Sequence, residues 1–202
     1  MKPILFNTEM VRAILEGRKT VTRRAVKPQP ESRPTPMKKD SCWPGCFAIQ
    51  GTAKVIRPPY KSGDTLWVRE TWCDAPDDDP QYRDFLYLAD YDGTPTKWRS
   101  SIHMPKEAAR LFLQVTDVRV ELLQDIDDDG AKAEGANYQD GKNVGWEEKM
   151  RRTAIDRFAE IWDNTIKPAD RLRYGWEANP WVWVIEFERI SKDEALGGGG
   201  DG

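Results

Sequence analysis

"ILFNTEMVRAILEGRKTVTRR", residues 4–24, holds the reading on which the fold depends. Residues 4–6 are apolar and form a short strand. Asn7 or Thr8 supplies the side-chain oxygen that caps a helix, and Met10, Val11, Ile14 and Leu15 recur at helical spacing to make its apolar stripe. Gly17 stands where a helix stop expects glycine, so "RKTVTRR" leaves a helix end and enters a second strand. Strand, helix and strand in direct succession open an α+β domain. The second strand is unusually cationic. Residues 18–27 carry Arg18, Lys19, Arg23, Arg24 and Lys27 with no acid, in a chain whose formal net charge is -3.

Outward from this block the pattern continues. Residues 28–59 hold seven of the fourteen prolines, and 28–62 reads as a loop-rich insertion without a helix. In "KSGDTLWVRETW" (61–72) a Gly-Asp turn feeds an apolar strand, and "FLYLAD" (85–90) is a further strand. "PKEAAR" (105–110) gives one helical turn, begun by Pro105. "LFLQVTDVRVELL" (111–123) is a long strand whose apolar phase slips near Asp117. "DIDDDGAKAEG" (125–135) is a short helix with aspartates near its N-terminus and Gly135 at its end. In "WEEKMRRTAIDRFAEIWDNTI" (146–166), Trp146, Met150, Ala154, Phe158, Ile161 and Trp162 trace a buried helical stripe. "NPWVWVIEFERI" (179–190) starts as a central strand, apolar on both faces, and ends in alternation toward solvent. These elements predict one α+β domain over 1–190, built on a small curved sheet or barrel, with a flexible tail at 191–202.

Composition narrows the function. The 202 residues are 39% hydrophobic and 32% charged, which describes a globular, polar-surfaced chain. No apolar run is long enough to span a bilayer, so no membrane partner is expected. The N-terminus lacks the apolar core of a signal peptide, and three cysteines suit a reducing compartment; both predict a cytoplasmic protein. A net charge of -3 argues against coating nucleic acid by bulk electrostatics. The stretch "DAPDDDPQYRDFLYLADYD" (74–92) sets seven aspartates against one arginine, so charge is sorted along the chain.

The blocks "ILFNTEMVRAILEGRKTVTRR", "GDTLWVRETW", "LQDIDDDGAKAEG" and "WVWVIEFERI" resemble the ASCH domain family, in particular its larger phage and prophage members. That resemblance implies a PUA-like β-barrel with flanking helices, and a cleft that binds RNA or a modified nucleoside or nucleotide. One branch of the family, the small N4-acetylcytidine amidohydrolases, works with a lysine, a threonine and a glutamate. Laid on this chain these fall on Lys19, Thr22 and Glu134, and Arg24 matches an arginine of the same block. The chain is about twice as long as those enzymes. A shared pocket is therefore better supported than a shared reaction, and a ribonuclease using the same cleft is a further alternative.

Such chemistry makes definite demands. A threonine hydroxyl attacks an acyl carbon only when a base removes its proton. Lys19 can be that base if burial and the neighbouring Arg18, Arg23 and Arg24 lower its pKa. Glu134 would pass a proton to the leaving amine. Arg18, Arg23 and Arg24 are candidate substrate-binding cations, and Glu70 is a carboxylate that could line the cleft and pair with Arg23 or Arg24. In an extended strand Lys19 and Thr22 point to opposite faces. The catalytic reading therefore requires Lys19 to lie in the turn before the strand. Trp67, Trp72 and Trp176 are available for base stacking, with core packing as the ordinary alternative. Cys42, Cys46, Cys73 and His103 have the types of a zinc site but not its clustered spacing, so no metal and no cofactor is expected.

Overall fold

A computed structural model describes residues 1–75, 84–91, 97–136 and 153–197. Among them are the strands β1 (Lys2–Leu5), β2 (Val21–Ala25), β3 (Pro34–Pro36), β4 (Phe47–Ile49), β5 (Val55–Ile56), β6 (Thr65–Arg69), β7 (Trp72–Asp74), β8 (Phe85–Tyr87), β9 (Phe112–Leu122) and β10 (Trp181–Ile190). The α-helices are α1 (Thr8–Leu15), α2 (Asp128–Ala133), α3 (Ala154–Thr165), α4 (Arg171–Tyr174) and α5 (Lys192–Leu196). The chain divides into two compact units. One holds residues 1–18, 63–115 and 187–202; the other holds 19–62 and 116–186. The long strands β9 and β10 contribute residues to both.

In the first unit β1 lies parallel to β6, with Ile4 opposite Val68, and β6 runs antiparallel to β9, with Leu66 opposite Leu113. Ile4, Leu66, Val68 and Leu113 are all buried, as central strands require. Asn7 caps α1 by accepting from the Met10 N–H, and the helix buries Val11, Ala13 and Ile14. Its end is a glycine turn. Gly17 has φ +74°, and the Arg18 N–H reaches back to the Ala13 carbonyl at 2.9 Å. Arg12 holds the carbonyls of Ala89 and Tyr91, both at 2.8 Å, which ties α1 to the turn after β8.

In the second unit β2 is antiparallel to β10, with Thr22 opposite Ile185, Arg23 opposite Val184 and Arg24 opposite Trp183. One core joins Val21, Val182 and Val184 of these strands to Phe158 and Trp162 of α3 and to Ala131 of α2. Thr153 caps α3 in a capping box with Asp156.

Two expectations, on the sheet and on "FLYLAD", need correction, and two segments gain detail. The main sheet is mixed and open rather than a closed barrel: its strand order runs β1-β6-β9-β10-β2, and β1 and β2 end that order instead of sharing a ladder. Within residues 28–62, which are mostly loop and hold no helix, β3, β4 and β5 form a small antiparallel sheet. Two of the seven prolines, Pro34 and Pro36, occupy β3, an edge strand, where a missing N–H is tolerated. Phe47 and Ile49 are buried from that small sheet, and Phe47 meets Trp183 edge-on at 5.2 Å. The tail is helical over Lys192–Leu196, because Ser191 and Glu194 complete a capping box. Finally, "FLYLAD" is strand only to Tyr87 and then a 3-10 turn. Trp146, Met150, residues 76–83 and 92 of the acidic stretch and residues 198–202 lie outside the described residues.

Candidate functional site

Three backbone features deliver Lys19. The Gly17 turn redirects the chain. The Thr20 N–H then bonds the Ala133 carbonyl at 2.9 Å, and Lys19 forms an isolated bridge with Glu134 just before β2 begins. Glu134 is the C-cap of α2, whose N-cap Asp127 accepts from the Gly130 N–H. Lys19 thus sits in the turn ahead of the strand, at the carbonyl end of a helix, where a cation is favoured.

The Lys19 ammonium is fully enclosed. Its Nζ donates to Glu134 Oε2 at 2.5 Å, to the Val21 carbonyl at 2.7 Å and to the Glu134 carbonyl at 3.0 Å. Burial pushes its pKa below the ordinary lysine value; Glu134 opposes that shift, and Arg24 and Arg23 add to it. The second carboxylate oxygen of Glu134 accepts from Arg23 Nη1 at 3.4 Å. Arg23 is also held by Glu121 at 2.7 Å and lies over the Phe158 ring. Two cations therefore share one buried carboxylate. Removing two charges from water costs several kcal/mol per ion before pairing returns any of it. The sequence had pointed to Lys19, Arg23 and Glu134 as members of one site, and they meet in space.

Thr22 and Arg24 occupy the other face of β2. Thr22 is buried, at 2% exposure. Its hydroxyl makes no hydrogen bond with a described residue, and none joins it to Lys19. Arg24 is half-buried, and burial lowers its pKa, with Glu134 and Tyr60 opposing. It remains a cation beside the buried pair.

Two predicted members belong to the first unit. Arg18 pairs with Glu16 at 2.6 Å on the surface of the first unit. Glu70, in the same unit, is bound in a fork by Arg110, at 2.9 Å from both Nε and Nη2. Its partner is Arg110 rather than Arg23 or Arg24. Burial pushes the Glu70 carboxyl up, against the pull of Arg110. Arg110 also stacks on Tyr87 and pairs with Asp90, so this is a structural cluster. The tryptophans pack: Trp67 and Trp72 are core residues and Trp176 lies against the α3 core. Among the described residues no three of His, Cys, Asp and Glu are grouped as metal ligands, and no described helix is long and apolar enough to cross a membrane.

Sequence reasoning missed Glu121 and Tyr60. Glu121 occurs in the alternating run "VRVEL" and looks like any outward-facing strand residue. Only the fold brings it to Arg23. A groove of about 1040 Å³ opens alongside, between β3 and the Asp117–Leu122 half of β9, with Glu121 in its wall.

No protein-family model matches the chain, and no curated protein does. Among solved structures, protein EF3133 from Enterococcus faecalis V583, a DUF984 protein, superposes with a TM-score of 0.43 at 10% identity, over 95% of this chain and 82% of that chain. A likeness of that degree decides neither family nor function.

Proposed function

We propose that this chain is an ASCH-like protein that binds a nucleoside or a short single-stranded RNA segment beside the Lys19–Glu134 pair. The observation that carries the reading is the buried pair itself, with the adjoining strand β2 carrying the half-buried Arg24 and Thr22, whose hydroxyl bonds no described residue. Apolar residues of similar volume would serve stability as well as this ion pair does. A buried lysine with a lowered pKa and a specific carboxylate partner is a characteristic of functional sites. Arg24 is suited to a phosphate or a base edge, because its fork stays charged. Thr22 offers a donor and an acceptor beside it.

The lowered pKa of Lys19 favours a second reading in the same place, removal of an acyl group from an N4-acylated cytosine nucleoside. In that reaction the Lys19 proton first passes to Glu134; neutral Lys19 then takes the Thr22 Oγ1 proton as that oxygen attacks the acyl carbon, Glu134 protonates the leaving amine, and water hydrolyses the resulting Thr22 ester to free the carboxylate. Because Lys19 and Thr22 are not hydrogen-bonded, the bound substrate must draw them together. Binding is therefore the primary reading and hydrolysis the alternative.

Calorimetric titration of cytidine and N4-acetylcytidine, with chromatography of the acetylated compound after incubation, separates the two. Binding lost in Thr22→Val and Arg24→Gln, with folding intact, supports the pocket. Turnover lost in the same variants adds the hydrolase. Wild-type protein that binds neither nucleoside nor single-stranded RNA refutes both.

A further inference from the structure

The 28–62 segment carries a second basic surface. It holds Arg33, Lys38, Lys39, Lys54, Arg57 and Lys61 against only Glu31 and Asp40, in a chain that is acidic as a whole. All six cations are exposed. Lys54 spends its charge on Glu31 at 2.7 Å, whereas Arg33, Lys38 and Lys39 make no ion pair with a described residue. The connection from β3 to β4 bears Lys38, Lys39 and Trp43. Trp43 is 47% exposed, one of the largest apolar side chains on the surface. The Arg57 guanidinium, just after β5, lies 4.5 Å from its ring centroid. Folding of the small sheet thus sets an indole, backed by a guanidinium, on the same connection as two lysines that pair with no described residue.

We infer that this loop is a contact for single-stranded nucleic acid, with Trp43 as a stacking platform for a base and Lys38, Lys39 and Arg33 as phosphate contacts. Every base offers a π-face, so stacking on an exposed aromatic is sequence-tolerant, and cations beside it track the backbone. Charge complementarity selects the occupant: a polyanion with flat apolar faces satisfies both parts of the surface, whereas an acidic peptide offers the charge without the rings. The neighbouring groove sets Asp117, Glu121 and Asp125 against Arg33 and Arg119, so it offers a phosphate no net positive charge, and Arg33 is the cation it shares with the basic segment. The inference rests on the nucleic-acid reading above but uses none of its residues.

Anisotropy titration of a fluorescein-labelled oligouridine ten-mer at low and moderate salt tests it. The proteins are wild type, Trp43→Ala, Trp43→Phe and Lys38→Glu with Lys39→Glu. Cytidine calorimetry on the same preparations reports the Lys19 pocket separately. Trp43→Ala should weaken the oligonucleotide by about ten-fold, and Trp43→Phe should restore much of that. The double charge reversal should weaken binding and flatten its salt dependence. Cytidine binding should be unchanged in all of them. Oligonucleotide affinity equal to wild type in Trp43→Ala overturns the platform. Failure of wild type to bind the ten-mer overturns the whole inference, whether or not cytidine binds. Binding of anionic lipid vesicles in place of the ten-mer assigns the loop to membranes and likewise overturns it.

Discussion

Lys19 has three acceptors within 3.0 Å, including Glu134 Oε2, and no water-facing surface to retreat to. Deleting one member of a buried pair strands the other, at about 3–5 kcal/mol. Arg23 also touches Glu134, so the stranded carboxylate keeps one cation. Lys19→Met should therefore cost about 3 kcal/mol in urea denaturation, at the lower end of that range. The pH dependence has a definite sign. Burial lowers the folded-state pKa of Lys19 below its ordinary value of 10.5. Between the folded and unfolded pKa values the unfolded chain binds more protons, so stability contributed through Lys19 rises with pH. The difference in unfolding free energy, wild type minus Lys19→Met, should grow as pH is raised from neutral toward 10.5. Thr22 gives a contrasting result. Its hydroxyl has no described partner to lose, so Thr22→Val should change stability by less than about 1 kcal/mol. A larger loss would show that the hydroxyl is structural and weaken its candidacy in the pocket.

At the scale of elements, α2 positions Glu134 with only six residues, Asp128–Ala133. A Cβ on Gly130 would stand 2.9 Å from Asp127 Oδ1, the capping oxygen, and 3.4 Å from Arg23 Nη2. Glycine to alanine inside a helix ordinarily gains about 1 kcal/mol. Loss of the cap costs about as much. Gly130→Ala should therefore bring no net stabilisation in thermal unfolding, and it should disturb the Arg23 contacts with Glu121 and Glu134. The short helix α5 depends on its capping box, in which Ser191 and Glu194 hold each other's backbone N–H groups. Those bonds lower the Glu194 pKa. A depressed carboxylate stabilises above its unfolded pKa and loses that contribution as pH falls through the folded value. Amide signals of 192–196 in NMR spectra should show fraying on acidification while the buried strands remain ordered.

For the molecule as a whole, charge is sorted rather than summed. A net charge of -3 coexists with the cationic stretch 18–27 and the basic 28–62 segment. Affinity for generic RNA should consequently be weak and salt-sensitive, and single strands should be preferred to long duplexes, which need a continuous basic track. Filter binding of a single strand and a duplex across a salt series checks this; tight duplex binding unmoved by salt would remove the single-strand reading.

Local patterns determined much of this protein. Caps, glycine stops and apolar period predicted α1, β2, β6, α2, β9, α3 and β10, because each rests on interactions within a few residues. Arg18, Lys19, Thr22, Arg23 and Arg24 of the "RKTVTRR" block were candidates through their charge and the family resemblance, and Glu134 through that resemblance. Other features depend on contacts remote in sequence, and those only the tertiary structure decided. Glu121 reaches Arg23 across 98 positions and Lys19 reaches Glu134 across 115. Glu70 takes Arg110 as its partner, and Arg18 turns to Glu16, because nearest available charge in space sets a pairing. The proline-rich segment includes a small sheet because Phe47 and Ile49 find a core to enter, which proline content in the sequence conceals. Sheet closure, likewise, is a property of which edges meet, and no local stretch encodes it.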